Sequence, residues 1–413
     1  MRLQVARQVA HWCAAVDGLR DPEAFASAAA WRSLERYLDV ALRGQLMEAT
    51  ELLARESGAL SAALRTATSA EELERLRLEV VRFRRRYLQV ETALDFYGDA
   101  INTRTSPRLA ALLRACDVLA EDSMRAILAP LGRPVPPLLT YVDKGLGASI
   151  LRAGLRLWDG GSLTPAAAVK ITRQNLRRPT ALIHETGHQV AHILGWTEEL
   201  AALLRRELEP AAPDVAEAWS GWASEIAADT YAFALTGYGS VAGLHDVVSG
   251  GPTVFRLIPG DPHPVAYARV LLGVQMCSGS FGRGPWDELA RAWTEAHPLA
   301  AAPPATRSLL ERSLGHLPRI AELCLAVPMR AFGGQPLTAL ADPLRVSRTA
   351  LTRLEKEAGG ALRTSSHWLR REGLRLLALS SYRTATEPDR AVEIARQYED
   401  WMSRLGTPLA AAA

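Results

Sequence analysis

Thr180-Ala181-Leu182-Ile183-His184-Glu185-Thr186-Gly187-His188-Gln189-Val190-Ala191-His192-Ile193-Leu194 is the stretch from which the rest of the chain is read. Pro179 precedes it and Gly195 follows, the residues that favour the opening and the close of a helix, so the spacing predicts one helix over 180–194. On a helix, residues four apart lie on one face about a turn apart. His184 and His188 can therefore aim an imidazole nitrogen each at one Zn²⁺, at about 2.0–2.1 Å. Glu185 then projects beside the metal, where a carboxylate can take a proton from metal-activated water. Leu182, Ile183, Val190, Ala191, Ile193 and Leu194 suit a helix buried in a core.

Two histidines need a third ligand. A metzincin requires glycine and histidine where this chain has Ala191 and Leu194, which excludes that class. His192 continues the stripe, but rigid helix geometry carries it about 6 Å past His188, so it is expected to be a structural or supporting histidine. Glu198 and Glu199 are candidates from the following loop, or else the solvated first turn of the next helix. Ser224-Glu225-Ile226-Ala227-Ala228-Asp229 is the better source. It lies in a helix expected over 217–235, with Glu225 and Asp229 four apart on one face. Two carboxylates on the buried side of an alanine-rich helix are costly without a cation or donors. Zinc on Glu225, with Asp229 accepting the spare N–H of a ligand histidine, satisfies both. The competing reading is a pair of surface carboxylates.

His-Glu-x-x-His followed by Glu-x-x-Ala-Asp resembles the gluzincin peptidases, and more narrowly the family of HtpX and the CaaX prenyl proteases. Asp261-Pro262-His263-Pro264-Val265-Ala266-Tyr267-Ala268-Arg269-Val270 is similar to that family's His-Pro, four residues, Arg signature. The resemblance covers roughly residues 138–290. It implies a mainly α gluzincin-like metallopeptidase core with at most a small sheet, flanked by helical domains. It also implies a zinc endopeptidase acting on a peptide or protein substrate, with His184, His188 and Glu225 as metal ligands and Glu185 as general base. His263 and Arg269 would lie by the active site, His263 as a donor to the developing oxyanion and Arg269 holding a site carboxylate or the substrate backbone. Membrane members of the family carry spanning helices that this chain lacks, so ideas about prenylated or membrane substrates do not transfer.

Outward from this core, residues 24–129 are helical in pattern. Ser69 and Glu72 have capping-box spacing. After them Leu73, Leu76, Val80, Phe83, Tyr87, Val90, Leu94 and Tyr97 form a narrow coiled-coil-like seam, expected to pair with a helix around 34–53 as an antiparallel hairpin. Arg82, Arg84, Arg85 and Arg86 on that helix read as a solvated face. The linker Leu131-Gly132-Arg133-Pro134-Val135-Pro136-Pro137 and the Ala/Pro-rich 298–306 divide the chain into a helical hairpin domain (1–130), a metallopeptidase domain (131–300) and a helical C-terminal domain (301–413). Within the second, strands are expected at 138–142 and 253–258 and further helices at 150–158 and 265–276.

The 413 residues carry 48 basic and 45 acidic side chains, a net charge of +3, so the overall field points to no nucleic-acid partner. Cys13, Cys116, Cys277 and Cys324 show no paired spacing, and neither a signal peptide nor a membrane span is recognisable, which together lead to a cytoplasmic expectation. Residues 337–355 superficially read like a helix-turn-helix, although Pro343 falls where its first helix should still run. The alternatives to an enzyme are a non-catalytic, zinc-stapled scaffold whose N-terminal hairpin carries a protein partner, and a metalloprotease-like DNA-binding regulator.

Overall fold

The apolar seam after Ser69 becomes one long helix whose buried face is the one the three-four spacing marks. The computed structural model describes residues 1–144, 148–152 and 166–407. By contact the chain divides into two compact units. The first is Met1–Leu109, Pro136–Val142 and Leu151–Ala168; the second is Ala110–Val135, Asp143–Ile150 and Val169–Ala413.

The first unit is built on α1 (Arg2–Leu19), α2 (Ala28–Leu38), α3 (Leu42–Thr66) and α4 (Ala70–Asn102). The Ser69 hydroxyl accepts the Glu72 amide at 3.1 Å and the Glu72 carboxylate accepts the Ser69 amide at 2.9 Å, closing the capping box at the start of α4. All eight seam residues from Leu73 to Tyr97 are buried. Only three residues separate α3 from α4, so the two run antiparallel as expected. The hairpin also has a third member: α1 packs on both helices through Val5, Val9, Val16 and Leu19. Arg82, Arg84 and Arg85 are exposed, whereas Arg86 reaches across to Glu56 of α3 at 2.8 Å.

Three short strands, β1 (Leu138–Val142), β2 (Ser149–Leu151) and β3 (Ala167–Ile171), form a sheet in the order β1-β3-β2. β1 belongs to the first unit, and the second unit, apart from the strand residues it contributes, has helices as its regular elements. It runs through α5 (Pro107–Leu128), α6 (Thr180–Leu194), α7 (Trp196–Leu208), α8 (Pro213–Gly221), α9 (Ala223–Thr236), α10 (Tyr238–Val248) and α11 (Ala266–Phe281). It continues through α12 (Pro285–Ala296), α13 (Pro304–Leu314), α14 (Leu317–Leu325), α15 (Leu337–Leu340), α16 (Arg348–Ala358), α17 (Ala361–Thr364), α18 (Ser366–Thr386) and α19 (Ala391–Gly406). The fold is thus mainly α with one small sheet. No helix among the described residues is long and apolar enough to cross a membrane.

Three local expectations change. Ser149–Leu151 is strand rather than the start of a helix, and residues 153–158 of that expected helix lie outside the described residues. The strand expected at 253–258 is instead a 3-10 turn over Gly251–Phe255. It is set up by Gly251 at φ +61°, a conformation open to glycine but not to a strand residue. The single helix expected over 217–235 is two, α8 and α9, broken at Trp222 (φ −91°, ψ 3°). Trp219 and Trp222 bury their rings edge-to-face, 5.5 Å apart, at this break. The 337–355 segment is a single turn (α15), a 3-10 turn from Pro343 to Val346, and α16 capped by Ser347. Proline ends the first element early, so the two-helix scaffold of a helix-turn-helix does not form.

Candidate metal centre

α6 carries His184, Glu185 and His188, and α9 carries Glu225 and Asp229. The two helices meet more closely than ordinary side chains allow, and Gly187 is the point of contact. A Cβ built there would lie 2.9 Å from the Ala228 Cα and 3.1 Å from Tyr231 Cδ1. Glycine between the two histidines lets α9 bring its carboxylates onto their face of α6. Gly187→Ala should gain the helix propensity of alanine, about 1 kcal/mol, and lose more to overpacking against backbone, about 1–3 kcal/mol. The expected outcome is a lower melting temperature, opposite in sign to the same change at an exposed helical glycine. α6 is also pinned from behind, where the Thr186 and Ser123 hydroxyls hydrogen-bond at 2.9 Å against α5.

The donor atoms converge. His184 Nε2 is 3.4 Å from Glu225 Oε2, and His188 Nε2 is 3.3 Å from Glu225 Oε1. One ligand atom from each of the three residues can be chosen so that all lie within 4.8 Å of one another. Donors in a tetrahedral zinc shell are about 3.3–3.4 Å apart for bonds of about 2.0–2.1 Å, so the spacing suits that ion. The outer nitrogens are already engaged: His184 Nδ1 lies 2.9 Å from Asp229 Oδ1, and His188 Nδ1 lies 3.3 Å from the Ser224 hydroxyl. A neutral His184 that donates Nδ1–H to Asp229 turns the Nε2 lone pair toward a carboxylate oxygen. Two acceptors face each other there, which is stable only with a cation between them or a proton on the ring. Burial disfavours a charged His184, but hydrogen bonds to Asp229 and Glu225 outweigh it and push the imidazole up to about 10.

Arg269, from α11, is the second organiser. Its Nε donates to Asp229 Oδ2 at 2.6 Å, and its Nη2 donates to Asp229 Oδ1 and to Glu225 Oε2, each at 2.9 Å. Of the two roles expected for Arg269, holding a site carboxylate is the one in place. Burial works against both acidic groups on α9. For Glu225 the two histidine hydrogen bonds and the Arg269 charge more than compensate, and for Asp229 the Arg269 charge leads, so both carboxyls fall below the usual range. Glu185 is buried and its carboxyl is pushed up by that burial. With His184 neutral, as a metal ligand must be, Glu185, Glu225 and Asp229 are answered by one guanidinium, a deficit that a divalent cation closes. The residues present therefore fit zinc by donor type, spacing and charge.

His263 stands at the open side. Its side chain is 60% exposed, its Nε2 is 3.6 Å from Glu225 Oε1, and Asp261 Oδ1 lies 2.6 Å from its Nδ1. Asp261 also accepts the His263 amide at 2.9 Å, which fixes the turn. Ser224 and Asp261 both sit inside the motifs of the sequence, yet nothing in their spacing assigned them these contacts. The remaining candidates fall away from the centre. His192 is exposed in the last turn of α6 and Glu198 is exposed on α7. Glu199 accepts the Arg330 and Ala331 amides at 2.8 Å each, so it caps a distant turn. A cleft of about 450 Å³ opens onto His184, Glu185, Glu225, Asp229, His263 and Arg269. No family model, curated protein or solved structure matches the chain.

Proposed function

We propose that the chain is a zinc-dependent endopeptidase. The observation that carries this reading is the convergence of two imidazoles and a carboxylate on one point, with a buried fourth group, Glu185, beside them in a cleft. Two histidines and one carboxylate are the ligand set of a catalytic zinc site, which keeps a coordination position free for water or substrate. When bound, zinc would acidify that water and polarise the scissile carbonyl. A purely structural zinc site has no use for Glu185.

His184, His188 and Glu225 hold the metal in this reading. Asp229, which can only accept, fixes the tautomer of His184, Ser224 holds the tilt of His188, and Arg269 keeps Glu225 and Asp229 in register with each other. Glu185 takes the proton of the attacking water and passes it to the leaving amine. Burial raises its proton affinity, which makes its carboxylate the better base. In its protonated form His263, held at Nδ1 by Asp261, can donate from Nε2 to the oxygen on which negative charge builds.

The test is digestion of a broad peptide library, with cleavage expected in the zinc-loaded protein, lost on chelation and restored by zinc. His263→Ala should lower turnover by about 10²–10³-fold, the scale of losing one oxyanion donor. Its zinc content and melting temperature should match wild type, since the side chain is largely exposed. Unchanged turnover would take His263 out of the mechanism.

A further inference from the structure

Besides its buried seam, α4 carries a second stripe that faces outward. Arg84, Leu88, Glu91 and Asp95 follow one another at steps of four, three and four residues, so they share one face of the helix. Val81 lies on the same face, three residues before Arg84. Val81 and Leu88 are each 41% exposed, and Arg84 and Asp95 are exposed beside them. Covering the two aliphatic side chains would recover free energy that water denies them.

The charges of this stripe divide about Leu88. On the N-terminal side, Arg84 has no ion-pair partner among the described residues, and neither have Arg82 and Arg85. On the C-terminal side, Glu91 accepts the Tyr87 hydroxyl at 3.0 Å and Asp95 has no basic partner among the described residues. Partial burial and the nearby charges of Glu91 and Asp99 push the Asp95 carboxyl up. Glu91 and Asp95 lie two and three turns beyond Arg84, about 10 and 16 Å along the axis, farther than an arginine side chain spans. The opposite charges of one helix therefore cannot neutralise each other within it.

Turned end for end, the same helix presents its acids where the first presents its arginine. An antiparallel copy of α4, related by a twofold axis between Leu88 and Gln89, sets the two Leu88 side chains together. It also places Arg84 of each copy opposite the gap between Glu91 and Asp95 of the other. The contact is isologous, so it is made twice. A parallel copy would bring Arg84 against Arg84 instead. We propose that this face of α4 is a homodimer surface, closed by an antiparallel second copy whose Glu91 and Asp95 receive Arg84.

Sedimentation equilibrium of the full chain tests the pairing. Wild type should pass from monomer to dimer with a dissociation constant of about 1–100 μM, the range of a small transient interface, and should dissociate further as salt is raised. Arg84→Glu sets like charges against Glu91 and Asp95, and Asp95→Arg sets like charges against Arg84, so each variant alone should associate at least about tenfold more weakly. Mixed one to one, the two variants should form a heterodimer within about tenfold of wild-type affinity, because one of its contacts is native and the other is the Arg84–Asp95 pair with its signs exchanged. Both residues are exposed, so the variants should fold, and melting temperature checks that they do. Wild type that stays monomeric throughout, variants that dimerise as wild type does, or a mixture that forms no heterodimer each overturns the pairing. A monomer that cosediments with vesicles of phosphatidylcholine and phosphatidylglycerol would overturn it as well, and give the arginines a lipid surface instead.

Discussion

Glu185→Gln is expected to keep about one zinc per chain while peptide-bond hydrolysis falls by about 10²–10⁴-fold, the usual contribution of a positioned general base. That loss corresponds to about 3–5 kcal/mol of transition-state stabilisation. The amide matches the carboxylate in size and sits in the same buried position on α6, so neither helix packing nor the ligand atoms should move. What it cannot do is accept a proton. The reading requires kcat to fall with metal content and melting temperature unchanged. Hydrolysis that persists near the wild-type rate in the Gln variant would show that the proton goes elsewhere, and the scaffold reading would gain if wild type itself shows no zinc-dependent cleavage.

Glu225→Ala should lose the metal. The substitution removes one of the three proposed ligands, and it also leaves the Arg269 guanidinium, which held Glu225 at 2.9 Å, facing the two imidazoles without that intervening carboxylate. A cation next to the remaining donors opposes a second cation, so the loss should exceed that of an ordinary ligand deletion. Mass spectrometry after gel filtration should find little zinc in Glu225→Ala, and the same in His184→Ala and His188→Ala. Asp229→Ala keeps every ligand atom and frees only the His184 ring, so its affinity should weaken by about 10–100-fold with binding retained. Full zinc stoichiometry and unchanged affinity in Glu225→Ala would remove it as the third ligand.

The centre was legible in the sequence to different depths. The i, i+4 spacing of His184 with His188, and of Glu225 with Asp229, is a property of helix geometry, so which residues share a face followed from counting alone. The same holds for the seam of α4 and for its capping box. The pairing of Arg269 was half legible: its distance from His263 placed it one to two turns into a helix, but not whose carboxylate it would hold. The break at Trp222 was only weakly marked, because the run from Glu217 to Leu235 has no proline, its apolar spacing continues through it, and Gly221, the last residue of α8, is its single glycine. The strand at 149–151 was not legible, three residues being too short for any period to register.

Local periodicity thus determined the helices, the faces they bury and the residue types available for chemistry, because each depends on neighbours within one or two turns. Tertiary structure decided which faces meet. The approach of α9 to α6 is set by steric fit at Gly187 against Ala228, and the neutralisation of Glu225 and Asp229 by a guanidinium 40 to 44 residues away. The cleft likewise exists only where α6, α10 and α11 come together. Such contacts depend on distances in space between residues far apart in the chain, and a single sequence carries no term for those.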